Sequence, residues 1–168
     1  MSVMEPETLA RLLDDHGAAL VLYARQWCAV PEDIVQEAFV KLAGQRPTPA
    51  YPVGWLYRVV RNGAVSAARS ERRRVRHESQ AAARSPVWFM PSESGGLDAE
   101  TVGQALASLP IEQREVIVAH IWGRQTFEQI AQLTGVSSST VHRTYIAGLT
   151  ALRERLGVAC PKNPVRPS

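Results

Sequence analysis

The sequence predicts an all-helical (all-α) protein of two small helical domains joined by a flexible linker, the C-terminal domain being a helix-turn-helix. Apolar residues recur at helical spacing from Leu9 to about Arg76 and again from Asp98 to Leu156. No alternating apolar and polar pattern of useful length indicates a strand. Residues 77–97 contain Ser-Pro, Met-Pro and Ser-Gly-Gly steps, which break helices. We therefore expect helical domains at 1–76 and 98–157, a linker at 77–97 and a tail at 158–168.

Composition excludes several classes of protein. The chain has 168 residues, 45% of them hydrophobic, which is enough to build such cores without disulfides. Neither Cys28 and Cys160 nor the four histidines have metal-ligand spacing, so we expect no metal and no cofactor. We also expect no enzyme, since no nucleophile-base pair or Gly-rich phosphate loop is present. Acidic residues near the N-terminus and the lack of an apolar run of ~20 residues predict a cytoplasmic protein without membrane insertion.

The first two helices of the N-terminal domain are predicted from amphipathic patterns. The apolar face of the first holds Leu9, Leu12, Leu13, Leu20, Val21 and Ala24, and Pro31 opens the second. The second helix has two unlike faces. Its apolar face holds Ile34, Val35, Ala38, Phe39 and Leu42, and its polar face holds Glu32, Asp33, Gln36, Glu37 and Lys41. By itself such an acidic face is usually only a solvated surface.

A third helix, from about Val53 toward Arg76, carries its positive charge on one side. From Trp55 to Arg76 there are seven arginines and one acid, Glu71. At ~100° per residue, the following residues fall in an arc of roughly 120°: Arg58, Arg61, Asn62, Arg69, Arg72, Arg73 and Arg76. This charge density is typical of a helix that follows a phosphate backbone. Tyr51, Trp55 and Tyr57 lie beside the arginines and offer planes on which unpaired bases can stack.

A helix-turn-helix is predicted in the C-terminal domain. Thr126 is a good N-cap with Gln129 three residues later, Gly135 ends the first helix, and Ser137 caps the second. In the second helix, Val141, Tyr145, Leu149, Leu152 and Leu156 recur at spacings of three and four and form the inward face. The residues left to read upstream DNA are Ser138, Ser139, Thr140, His142 and Arg143.

In the order of these parts the chain resembles the small two-domain bacterial sigma factors of the extracytoplasmic-function (ECF) type. Pro31-Glu-Asp-Ile-Val-Gln-Glu-Ala-Phe-Val-Lys-Leu42 resembles the family's polymerase-clamp-binding helix. Trp55-Leu-Tyr-Arg-Val-Val-Arg-Asn62 resembles its promoter-melting helix. Leu109-Pro-Ile-Glu-Gln-Arg-Glu-Val116, followed by the helix-turn-helix, is similar to the family's region four. The resemblance covers nearly the whole chain.

The resemblance implies the partners and the function. It implies a sigma factor that binds core RNA polymerase and promoter DNA and directs promoter recognition, melting and transcription initiation, as a monomer when bound to polymerase. Asp33, Gln36 and Glu37 would then bind the clamp helices, and an anti-sigma factor is a further candidate partner. The chain departs from the family pattern in its recognition helix, where positions that are often basic hold His142, Thr144 and Ala147. Fewer phosphate contacts predict weaker and less salt-dependent upstream binding.

Two other functions are compatible with the sequence. An autonomous transcription regulator would use the helix-turn-helix alone, with the first domain as an effector or dimerisation module. A sigma-like decoy would bind polymerase or an anti-sigma factor without reading promoters, which the base-poor recognition helix favours.

Overall fold

The structure, a computed structural model, describes residues 3–77 and 99–157. Over those ranges it contains only α-helices and turns, which confirms the all-helical expectation. The N-terminal domain consists of α1 (Pro6–Ala24), α2 (Pro31–Gly44) and α3 (Pro52–His77). The C-terminal domain consists of α4 (Ala99–Ala107), α5 (Ile111–Ile121), α6 (Phe127–Thr134) and α7 (Ser138–Leu156). His77, which we assigned to the linker, is the last residue of α3. Residues 78–98, which include the apolar run Val87-Trp88-Phe89-Met90, lie outside the described residues, as does the tail at 158–168.

Local sequence explains where α1 and α2 begin. Each starts with a proline, whose fixed φ suits the first helical position and whose missing N–H removes no helical hydrogen bond. Glu32 and Asp33 then lie in the first turn of α2, where the helix dipole favours negative charge. The first turn of α2 is therefore acidic without loss of helix stability.

The three helices of the N-terminal domain pack around one apolar core. α1 packs against α2 and α3, and α2 also packs against α3. The predicted inward residues Leu20, Phe39 and Leu42 are buried, as are Leu56 and Val60 of α3. Leu13, in contrast, is 50% exposed, although its spacing places it with the apolar residues of α1.

In the C-terminal domain α7 is the central helix, packed against α4, α5 and α6. The predicted turn between α6 and α7 is confirmed, because Gly135 has a φ of 78° and ends α6 in the left-handed conformation that favours glycine. Val141 is fully buried, and Tyr145 and Leu152 pack against the core. Three of the five residues predicted for the inward face of α7 thus pack into the core, and the other two, Leu149 and Leu156, are partly buried.

The two domains are in contact with each other. α1 packs against α5, and α3 packs against α6. Domains joined by a flexible linker need not touch, and the sequence indicated no such contact. This arrangement decides which of the candidate site residues are accessible.

Candidate functional site

The polar face of α2 is an exposed acidic surface. Asp33, Gln36 and Glu37 are all exposed, on the side of the helix away from the buried Val35 and Ala38. Glu37 pairs with Lys41 at 2.7 Å along the same helix. Asp33 has no ion-pair partner in the described part of the chain, so its carboxylate is available to an external cation.

An apolar groove of about 440 Å³ lies beside this surface, between α1 and α2. Leu13 and Val40 are exposed at it, and Gln36 of the acidic face also lines it. Sequence reasoning missed the groove, because Leu13 was assigned to the core. The available signal was Gly17, one turn after Leu13, which leaves space between the helices.

The arginine-rich face of α3 has two parts. Arg69, Arg72, Arg73 and Arg76 are exposed, and every residue of α3 from Arg69 onward is exposed too, so this end of the helix has left the domain core. Arg58 and Asn62, nearer the start of α3, are exposed as well. These side chains form an exposed, positively charged surface along α3.

Arg61 is placed differently from the other arginines, because it faces the C-terminal domain. Its Nε donates to Glu115 Oε1 at 2.6 Å and its Nη2 donates to Glu115 Oε2 at 3.4 Å. The Tyr23 hydroxyl donates to the same Oε1 at 2.6 Å. We call Tyr23, Arg61 and Glu115 the Glu115 cluster.

Electrostatics in the Glu115 cluster follow from burial and pairing. The Glu115 side chain is only 6% exposed and that of Arg61 is 28% exposed. The hydrogen bond to Glu115 raises the pKa of Arg61. Burial, together with the neighbouring Glu115 charge, raises the pKa of Tyr23 well above its ordinary value. A cationic Arg61, an anionic Glu115 and a neutral Tyr23 therefore form a satisfied buried group.

The three aromatic residues beside the arginines do not share one surface. Tyr51 is 50% exposed, and its hydroxyl accepts a hydrogen bond from Gln129 Nε2 of α6 at 2.6 Å. Trp55 is half-buried and lines a cleft of about 260 Å³ with Tyr51, Arg58 and Gln129. Tyr57 is 1% exposed, so our expectation that it is a stacking plane beside the arginines is wrong for this conformation. It lies two residues, or about 200°, around the helix from Trp55 and packs edge-on against Tyr23 instead.

The helix-turn-helix has the predicted caps. The Thr126 hydroxyl accepts from the Gln129 backbone N–H at 3.1 Å, and Gln129 Oε1 accepts from the Thr126 N–H at 2.8 Å, which completes a capping box. Ser137 caps α7 by accepting from the Thr140 N–H at 3.2 Å. The order of cap, glycine turn and cap was thus readable from local sequence.

The upstream candidates on α7 are not equally accessible. Ser139, His142 and Arg143 are exposed, whereas Ser138 and Thr140 are partly buried. The Thr140 hydroxyl bonds to Ser137 at 2.9 Å and accepts from Arg143 at 3.3 Å. His142 also contacts the Phe127 ring edge-on at 5.2 Å.

Comparison with known proteins assigns both domains to one family. Residues 12–74 match the model of Sigma-70 region 2, and residues 99–152 match that of Sigma-70, region 4. The ECF RNA polymerase sigma factor SigL of Mycobacterium tuberculosis is 31% identical over 167 residues, covering 92% of this chain and 93% of SigL. The chain belongs to the ECF sigma factors. It is thus a regulatory protein that directs transcription initiation. The candidate residues from Asp33 to Arg73 lie within the region 2 match.

Solved structures share the fold of this sigma factor. The sigma factor RpoE of Bartonella quintana, in complex with the anti-sigma factor NepR, superimposes with a TM-score of 0.76 at 24% identity, over 93% of this chain and all of RpoE. CnrH, in complex with the cytosolic domain of CnrY, gives a TM-score of 0.58 at 22% identity, over 93% of this chain and 92% of CnrH.

Two kinds of site are not found in the described parts of this sigma factor. Residues 3–77 and 99–157 contain no group of three or more histidine, cysteine, aspartate or glutamate side chains able to hold a metal ion. No helix in these ranges is both long enough and apolar enough to cross a membrane.

Proposed function

We propose that this sigma factor attaches to core RNA polymerase through the acidic face of α2 and holds opened promoter DNA on α3, while α7 engages the upstream element. The observation that carries the proposal is the segregation of charge on neighbouring helices. Asp33 and Glu37 are exposed on α2, and the arginines from Arg69 to Arg76 are exposed on α3. One domain can therefore bind a basic protein surface and a nucleic acid at the same time.

The downstream contacts divide between phosphate and base. Arg58, Asn62, Arg69, Arg72, Arg73 and Arg76 bind the backbone, and Arg61 joins them when it is released from Glu115. Trp55 and Tyr51 are the planes for unpaired bases, whose stacking on aromatic rings contributes about 1–3 kcal/mol each. Such contacts offset part of the stacking lost on strand opening, about 1.4 kcal/mol per step. The protein itself catalyses no reaction.

The upstream contacts are fewer. Arg143 is the one Lys or Arg from Ser138 to Leu152, so Ser139, His142 and Arg143 at the start of α7 carry the binding. This shortage of basic residues supports a second candidate function, that of a decoy which binds polymerase but does not read promoters.

The family relationship supports a proposal for the cellular setting. Both structural relatives are bound to a protein partner, RpoE to the anti-sigma factor NepR and CnrH to the cytosolic domain of CnrY, so we include an anti-sigma factor among the partners of this chain. Action with the polymerase places the protein in the cytoplasm. It binds polymerase as a monomer.

Run-off transcription with purified core polymerase on a library of promoter fragments tests the proposal. Wild type should give discrete transcripts, and Asp33→Lys with Glu37→Lys should lower polymerase affinity by at least about tenfold, because the reversed charges repel a basic partner. The matched control is Asp14→Lys with Asp15→Lys, which makes the same charge change at exposed positions of α1.

Each candidate function gives a different result. Polymerase binding without transcripts from any fragment would favour the decoy. Transcripts from the Asp33→Lys, Glu37→Lys variant at the wild-type level would reject the assignment of α2, and regulation of a promoter by the chain without polymerase binding would favour an autonomous regulator.

A further inference from the structure

The Glu115 cluster joins the two domains through a buried charge. Glu115 belongs to α5 of the C-terminal domain, whereas Tyr23 and Arg61 belong to α1 and α3 of the N-terminal domain. A carboxylate that is 6% exposed is costly to bury unless its oxygens are paired, and here a guanidinium and a phenol pair them. The domain contact is therefore specific, because sliding one domain over the other would leave this charge unpaired.

Two further contacts reinforce the same arrangement. Gln129 of α6 donates to the hydroxyl of Tyr51, beside the start of α3. Gly123, after α5, lies so close to the Tyr57 hydroxyl that any Cβ at this position would collide with it. These three contacts lie close together along the chain, at Tyr51 just before α3 and at Tyr57 and Arg61 within it.

These contacts occupy the residues proposed to hold opened DNA. Arg61 directs two of its N–H groups at Glu115, so those groups cannot also bind a phosphate. The hydroxyl of Tyr51 is bonded to Gln129, and Trp55 lines a cleft that Gln129 and Leu133 of the C-terminal domain help to form. The distal arginines, from Arg69 to Arg76, remain exposed.

We infer that the Glu115 cluster is an autoinhibitory lock: while it is closed, α3 can bind phosphates through its distal end but cannot capture an unpaired strand, which requires separation of the two domains. This inference rests on the proposed role of Arg61, Tyr51 and Trp55 in holding DNA. If only a small fraction of the molecules has separated domains, the apparent affinity for a single strand is reduced in proportion to that fraction. Weakening the lock raises the fraction, so it strengthens strand binding without adding a contact.

Glu115→Gln is the test variant, because it removes the buried charge and keeps the shape of the side chain. Glu112→Gln is its matched control, the same change one turn earlier on α5 at an exposed position. Tyr51→Phe is a second test variant, which keeps the ring for stacking and removes the oxygen that accepts from Gln129. Circular dichroism establishes that each variant is folded.

Domain separation is measured on the full chain without polymerase or DNA. Fluorophores are attached to Asp15→Cys in α1 and Glu154→Cys in α7, both exposed, in a chain that carries Cys160→Ser; Cys28 is buried. Energy transfer between them should fall in Glu115→Gln and, to a smaller extent, in Tyr51→Phe, and should be unchanged in Glu112→Gln. Unchanged transfer in both folded test variants would overturn the lock.

Strand capture is measured with a mixed-sequence single-stranded oligodeoxynucleotide and with the duplex of the same sequence. Glu115→Gln should bind the single strand about tenfold more tightly than wild type, and its affinity for the duplex should change less than about twofold. Lower energy transfer with unchanged single-strand affinity, or equal gains for both probes, would overturn the link between the lock and strand capture. Failure of the proposed function would be seen in a different experiment, as an absence of polymerase binding by the wild-type chain. The energy-transfer measurement contains no polymerase and does not depend on that result.

Discussion

At the residue scale, Thr126 fixes both the start of α6 and the position of a domain contact. Its hydroxyl and backbone N–H form the capping box with Gln129, and the amide of Gln129 also donates to Tyr51. One short polar side chain thereby orients the glutamine that reaches the N-terminal domain.

Removing the Thr126 hydroxyl should destabilise the C-terminal domain. Thr126→Ala loses an N-cap, which costs about 0.5–2 kcal/mol in the free energy of unfolding, while Thr126→Ser keeps an oxygen at the same position and should cost much less. Urea denaturation followed by circular dichroism measures both. Equal stability of the alanine and serine variants would show that the cap contributes nothing.

Single residues also show where sequence reasoning stops. Thr126, Gly135 and Ser137 were identified correctly, because caps and turns depend on neighbours within four positions. Arg61 was grouped with the DNA-facing arginines, because its partner Glu115 is 54 positions away and no local pattern connects the two residues. A helical projection shows the side of a helix on which a side chain lies but cannot show what occupies that side.

At the scale of elements, α3 performs two tasks along its 26 residues. Its first half supplies Leu56 and Val60 to the core, and every residue from Arg69 onward is exposed. Arg74 marks this change in the sequence, because at ~100° per residue it falls on the otherwise apolar side of α3. Forming the first turn is the unfavourable step in helix formation, and the packed first half of α3 already provides it, so the exposed end can continue as a helix.

The exposed end of α3 should determine the salt dependence of duplex binding. Replacing Arg72, Arg73 and Arg76 by alanine should reduce the slope of log K against log salt concentration by about 0.9 for each phosphate that is no longer neutralised. Fluorescence anisotropy with duplex DNA at several salt concentrations measures the slope. Arg74→Ala is the control, because Arg74 lies outside the arginine arc and pairs with Glu71 at 2.7 Å. If this variant lowers the slope by as much as each arginine removed in the triple variant, then only net charge matters.

At the scale of the whole molecule, local pattern predicted the two helical domains but not their contact. Hydrophobic spacing, prolines and caps are short-range signals, and they placed the helices and the buried faces of α2 and α7. The domain interface depends on polar partners separated by up to 92 positions, as in Tyr23 and Glu115. Glu115 itself stood inside a recognised motif, where nothing local distinguished it from an exposed acid.

The buried phenols of Tyr23 and Tyr57 should make the folded chain less stable at high pH. Burial raises the pKa of Tyr23 and of Tyr57 above a tyrosine's ordinary value of about 10, so both remain neutral in the folded chain. Their contribution to stability is complete below about pH 10 and is lost as the pH rises toward their folded-state values. Ionised Tyr23 would also repel Glu115, so the domains should separate as it ionises.

Ultraviolet titration of tyrosinate, with circular dichroism at each pH, measures this effect. We expect part of the tyrosinate signal to appear only together with loss of helix or of the domain contact. In Glu115→Gln that part should shift to lower pH, since the neighbouring negative charge is absent. A titration in which all tyrosines ionise near their ordinary value while the fold persists would contradict it.

Continuity of α3 has a mechanical consequence for the assembled initiation complex. The helix runs without interruption from the core beside α2 to its exposed arginine-bearing end, so it acts as a rigid rod without a hinge. When α2 is bound to the polymerase as proposed, the direction of that end of α3 is already fixed. If α3 holds DNA as proposed, the strand would meet arginines whose direction is already set, and little entropy would be lost in aligning them.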